Sequence, residues 1–116
     1  MNDRNQVRLS QQSRETLERW KQLKQIGDWI DGYRLGIAVA ISVGQEPKEL
    51  PQNSTTYVSV STLDPDGDLR VAVRLLSDNL EHGEYHQCEL LAEQGISYLN
   101  NKFPNGRIDY EKLFTE

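Results

Sequence analysis

The sequence is poor in the residues that build most catalytic and metal centres. Its one cysteine, Cys88, and both histidines, His82 and His86, fall within a single short stretch. One thiol excludes an internal disulfide. A nucleophile–histidine–carboxylate arrangement has no histidine elsewhere to draw on. No apolar stretch approaches the roughly 18 residues that a membrane span needs; the longest, Leu35 to Val43, has nine and includes Gly36 and Ser42. The eight glycines are scattered, so no phosphate-cradling loop is present. The opening MNDRNQVRLS has no apolar signal core, so export is not expected and Asn53-Ser54-Thr55 is not read as a glycosylation site. The expected compartment is the cytoplasm.

What is there is charge, unevenly spread. The 116 residues carry a net charge of −5, yet residues 1–26 balance to +3 through Arg4, Arg8, Arg14, Arg19, Lys21 and Lys24, and residues 27–116 to −8. A basic face of this kind suits an anionic partner, or is simply the solvated side of an amphipathic helix. Hydrophobic residues make up 36% of the chain, a lean supply for a core of this size, which is consistent with a homodimer that buries more. The length fits one domain over 1–116, with a strand-helix-helix part at 4–43, a linker or loop at 44–56 and an acidic, mostly helical part at 57–116.

The periodicity predicts a mainly α fold, a small helical domain of about four helices with one or two short strands. Residues 5–9 alternate, placing Val7 and Leu9 on one side and Gln6 and Arg8 on the other. Ser10 is suited to cap a helix that carries Leu17, Trp20, Leu23 and Ile26 on one stripe and ends near Gly27. A second helix is expected from Asp28, with Ile30, Tyr33, Ile37 and Ile41 inward; Gly36 to Val43 also reads as a buried strand. Gly32, Gly36 and Ala40 form a small-residue stripe, a candidate interface or a site of tight internal packing. Residues 44–56 read as a loop and Tyr57 to Leu63 as a short strand.

Beyond it, Asp64 is expected to cap a helix with Pro65 in its first position and Leu69, Ala72, Val73 and Leu76 on one face, a hairpin being the alternative. Ser77 to Glu84 reads as a polar connection. A long helix follows from about Tyr85 with Cys88, Leu91, Ala92, Ile96, Leu99 and Phe103 inward. Gly95 within it is placed to allow close packing, and Pro104-Asn105-Gly106 ends it. Asp109 is then suited to cap a last short helix containing Tyr110, Leu113 and Phe114.

Two constellations suggest a metal and fall short. Asp64, Asp66 and Asp68 alternate like the start of a calcium loop, but the twelfth position, which should close the loop with a carboxylate, is Leu75. His82 and His86 can share a helix face, yet Cys88 falls off it and no second ligand group lies elsewhere. No catalytic residue, metal or cofactor is therefore expected, and the chain reads as non-enzymatic.

The strand-helix-glycine-helix order over residues 4–43 resembles the ribbon-helix-helix family of dimeric DNA-binding proteins. The same stretch is distantly similar to a small accessory protein of bacterial DNA phosphorothioation, through Arg8-Leu9-Ser10 and the small apolar residues of its second helix. The resemblance implies that strands pair across a dimer and present Arg4, Gln6 and Arg8 to the major groove, where arginine and glutamine suit guanine and adenine edges. Arg14, Lys21 and Lys24 would contact the phosphate backbone. Asp28 and Asp31 stand where the family usually offers a phosphate-clamping Ser, Thr or Asn. The expected function is a small DNA-associated accessory or regulatory protein. The alternative is a protein-interaction subunit or adaptor, homodimeric or docked on a larger partner, without nucleic-acid contact.

Overall fold

The computed structural model describes residues 5–46, 48–77 and 83–113. Within them lie five helices and a two-stranded antiparallel sheet: β1 (Gln6–Leu9), α1 (Gln11–Gln22), α2 (Trp29–Val43), β2 (Thr55–Ser59), α3 (Val60–Leu63), α4 (Asp68–Leu76) and α5 (Glu84–Lys102). The mainly helical expectation agrees with this architecture.

Local chemistry sets most boundaries. The Ser10 hydroxyl accepts from the Ser13 amide at 3.1 Å and opens α1. That helix stops at Gln22, earlier than the glycine-based expectation. Lys24 takes a left-handed conformation (φ 59°), and the Gln25 amide folds back onto the Trp20 carbonyl at 2.8 Å. Asp28 opens α2 by accepting from the Trp29 amide, and left-handed Gly44 closes it, so residues 36–43 are helical and the strand alternative is excluded.

The alternation after Tyr57 yields a strand only to Ser59. Its hydroxyl then accepts from the Thr62 amide and starts the single turn α3. Residues 69–76 are helical, not the second arm of a hairpin, and Pro65 lies in the preceding turn instead of the first helical position. Asp64 nonetheless caps α4 from a distance, its carboxylate accepting from the amides of Leu69 and Arg70 at 2.9 and 3.0 Å. At the far end, Asp109 accepts from the amides of Glu111 and Lys112. The result is a series of turns where a short helix was expected, and Phe114 lies outside the described residues.

α5 runs through the middle of the molecule, and one cluster of buried side chains extends from Val7 to Leu113 around it. Its main neighbour is α2, and the connection expected over 44–56 ends at 54, because Thr55 and Thr56 already belong to β2. The two backbones touch: a Cβ built on Gly95 would stand 1.7 Å from the Gly36 carbonyl oxygen. Only glycine permits that approach, and it fixes how α2 lies across α5.

Candidate interaction surfaces

β1 is held from both sides. One edge pairs with β2, Val7 opposite Val58 and Leu9 opposite Thr55. The other edge meets side chains. Glu89 accepts from the Arg8 amide at 2.8 Å, Glu93 from the Ser10 amide at 3.1 Å, and the Tyr33 hydroxyl donates to the Arg8 carbonyl at 3.2 Å. Glu93 also accepts from the hydroxyls of Ser10 and Ser13 at 2.8 and 2.7 Å. Glu89 is fully buried and pairs with the Arg8 guanidinium at 3.0 Å and with His86 Nδ1 at 3.2 Å. That bond to Glu89 raises the Arg8 pKa against the opposing effect of burial. Burial, with Glu89 nearby, pushes the Tyr33 hydroxyl well above its ordinary value. Two carboxylates one helical turn apart thus stand in for a third strand.

The residues proposed from sequence for DNA contact are distributed as follows. Arg4 lies outside the described residues. Gln6 is exposed on β1 and Arg8 partly so, opposite the buried Val7 and Leu9. Arg14 clips α1 to β2: its guanidinium donates to the carbonyls of Thr55 and Thr56 and lies 5.1 Å from the Tyr57 ring centre. That ring stacks on Tyr33 at 5.7 Å. Lys21 sits 4.3 Å over the ring of Trp29, and Lys24 is exposed at the end of α1.

The small-residue stripe is buried within the chain. Gly32 faces Leu17 and Ile26, Gly36 faces Ala92 and Ile96, and Ala40 is fully covered. Asp64 is committed to structure, since its carboxylate takes the Tyr85 hydroxyl (2.8 Å) besides the two amides of α4. Burial alone would raise its pKa, but these three donors and Arg34 outweigh it and hold the carboxyl below its ordinary value. His82 lies outside the described residues, and Cys88 is buried in the core. Among the described residues no group of three or more His, Cys, Asp or Glu side chains is placed to hold a metal ion, and no helix is long and apolar enough to cross a membrane.

One surface stands out by composition. α4 packs Leu69 and Val73 inward, yet its outer side is also apolar: Val71, Leu75 and Leu76 are 46, 75 and 63% exposed. The i, i+4 spacing of Val71 and Leu75 puts them on one stripe, with Ala72 and Leu76 beside it. Arg70 and Arg74 border that stripe on one flank, Arg74 bonded to Glu84 at 2.9 Å. Sequence reasoning placed Leu69 and Val73 inward, as the structure does, but put Leu76 with them, which is exposed, and passed over Val71 and Leu75. The signal was present, because RVAVRLL holds more apolar residues than a single inward stripe can use. Glu89 and Glu93 were missed as well, although they interrupt an otherwise apolar run.

The chain matches no family model, no curated protein and no solved structure.

Proposed function

We propose that this chain is a protein-interaction adaptor that lays the outer face of α4 into an apolar groove of a larger partner. The observation that carries this reading is the exposure of Val71, Leu75 and Leu76 together on one short helix. Single exposed apolar side chains need no explanation, but a contiguous set on a helix face marks an interaction site. Anchors at i and i+4 are the pattern by which a helix enters a groove. Two arguments favour a different protein over a second copy. In a two-fold antiparallel pairing of α4 on itself equivalent flanks meet, which would oppose Arg70 and Arg74 to the same arginines. The stripe is also narrow, whereas a stable pair of free surfaces buries about 800 Å² on each side. A concave partner with acidic residues along its rim suits both features.

The test places a photocrosslinking residue at position 75 in cells and identifies the adduct. The partner is then produced separately and its affinity measured for the wild type and for Val71→Asp and Leu75→Asp. We expect one discrete heavier adduct, and a loss of at least about tenfold in affinity in each variant, about 1.4 kcal/mol, with unchanged melting. Absence of an adduct, undiminished binding by both variants, or an adduct of the chain with itself would overturn the proposal.

A second reading, association with DNA, is supported by the exposed Gln6 on β1 and the exposed Lys24 within the basic N-terminal part, Arg8 being engaged by Glu89. Fluorescence anisotropy at low and moderate salt tests it. Contacts to phosphate should weaken steeply as salt rises, and no binding by micromolar protein at low salt would end that reading.

A further inference from the structure

The turn that ends α5 gathers the parts of a reaction that needs no second protein. Pro104 and Asn105 are exposed in it, and Gly106 follows in a left-handed conformation (φ 81°). Asparagine is a thermolabile residue, because the backbone nitrogen that follows it is placed to close a five-membered ring on its own side-chain carbonyl. Glycine in the next position leaves that nitrogen unshielded by any side chain.

Three contacts bear on ring closure here. Asn105 Oδ1 accepts from the Arg107 amide at 3.0 Å. That bond bends the side chain back along the Gly106 peptide, and it supplies a donor where negative charge gathers during attack. Arg19 lies beside Gly106, its Nε 3.0 Å from where a Cβ would stand. This Nε is buried and has no hydrogen-bond partner among the described residues, and the guanidinium charge favours a deprotonated nitrogen nearby. The third contact opposes the reaction. The Gly106 amide donates to the Phe103 carbonyl at 2.9 Å and must let go as its proton leaves, but a single turn bond is worth little against water.

We propose that Asn105 is a site of spontaneous deamidation, and that its isoaspartyl product loosens residues 107–113 from the end of α1. The Gly106 nitrogen gives up its proton and bonds to Asn105 Cγ. The Cγ–Nδ2 bond breaks, and ammonia leaves with that proton to give a succinimide. Water then opens the ring at one carbonyl or the other. One opening yields an aspartyl residue; the other yields an isoaspartyl residue, whose main chain runs through the side-chain carbons and is one atom longer. That extra atom falls beside close packing, since Leu23 Cδ1 stands 2.8 Å from the missing Cβ of Gly106. Two residues on, the Ile108 amide donates to Gln25 Oε1 at 3.0 Å and the Ile108 side chain is buried. Both fastenings require the backbone to keep its length. The aspartyl form keeps it and still accepts from the Arg107 amide.

Asn53 serves as an internal control. It is exposed too, and the Ser54 amide closes its turn on the Pro51 carbonyl at 3.0 Å, but the next residue carries a side chain. The full chain is held for weeks in mild alkali at growth temperature and mapped by peptide mass spectrometry, with isoaspartyl methyltransferase labelling to separate the two products. Amide loss is expected at Asn105 and should be slower by at least about tenfold at Asn53. Asn105→Gln should stay intact, because its longer side chain closes a larger ring. Asn105→Asp supplies the aspartyl form alone; it should melt like the wild type and keep the Ile108 amide protected from hydrogen exchange, whereas the aged wild type exchanges faster there. Three results would overturn the proposal: Asn105 intact over the time in which the urea-unfolded chain is converted, equal loss at Asn53, or unchanged exchange at Ile108 in a sample rich in isoaspartate.

Discussion

Replacing Gly95 by alanine is the most severe small change the fold offers. The added methyl carbon would lie 1.7 Å from the Gly36 carbonyl oxygen and 2.4 Å from its carbonyl carbon. Comfortable carbon contacts begin near about 3.5 Å, so α5 must retreat from α2 by well over an ångström. Both obstructing atoms are backbone, and no rotamer change relieves the clash. Overpacking of an ordinary core costs about 1–3 kcal/mol. Here the cost lies above that range, because opening the contact also loosens Ala92 and Ile96 against α2. Alanine returns about 1 kcal/mol through its helix preference. The net loss is therefore about 3 kcal/mol or more, a large share of a total near 5–15 kcal/mol.

Two other glycines calibrate the reasoning. At Gly36 a Cβ would meet Ile96 Cγ1 at 2.8 Å and the Ala92 carbonyl at 2.9 Å, for a cost of about 2 kcal/mol. At Gly32 it would meet only the movable tips of Leu17 and Ile26, at 2.6 and 2.7 Å. Repacking and helix preference nearly cancel there, within about 1 kcal/mol. Urea unfolding followed by circular dichroism should rank the midpoints Gly32→Ala highest, Gly36→Ala next and Gly95→Ala lowest. With a slope of about 1.5 kcal/mol per molar urea, the last should fall by about 2 M. A Gly95→Ala protein within about 0.5 kcal/mol of wild type would refute the backbone contact.

Removing Glu93 strands the Ser10 amide and two buried hydroxyls, so Glu93→Ala should cost about 2–4 kcal/mol in the same assay; a loss under about 0.5 kcal/mol would contradict the role of α5 as the edge of β1. In alkali, burial pushes Tyr57 up to about 12, and burial with the bond to Asp64 does the same for Tyr85. The unfolded chain then releases those protons first, near pH 10, so the urea midpoint should be unaffected below pH about 10 and fall progressively from there toward 12. Tyr85→Phe should flatten that decline, and an identical profile would count against the Asp64–Tyr85 bond.

Much of the fold was legible because it is local. Ser10 and Asp28 announced their helices, and the stripes of α1, α2 and α5 followed from spacing alone. The end of α1 was misplaced because Ile26 continues the apolar stripe past a turn made by a lysine in a left-handed conformation, for which the sequence has no marker. The strand from Tyr57 was drawn too long because Ser59 fits equally an alternating strand and a helix cap. The site was less legible. Alternation placed Arg8 on the outward side of β1, but nothing near position 8 signals that Glu89 will reach it.

The two glutamates along β1 have a consequence for the growing chain. β1 is made before α5, and the contacts between them span 81 and 83 residues. Until α5 is complete, the Arg8 and Ser10 amides offer an open strand edge to any extended segment nearby, the usual starting point of aggregation. The carboxylates that later close this edge also serve as its guard against strand addition, since a newcomer would have to expel both at once. The vulnerable interval thus belongs to synthesis and early folding, where low temperature or a chaperone during expression should have its effect, and not to the finished protein.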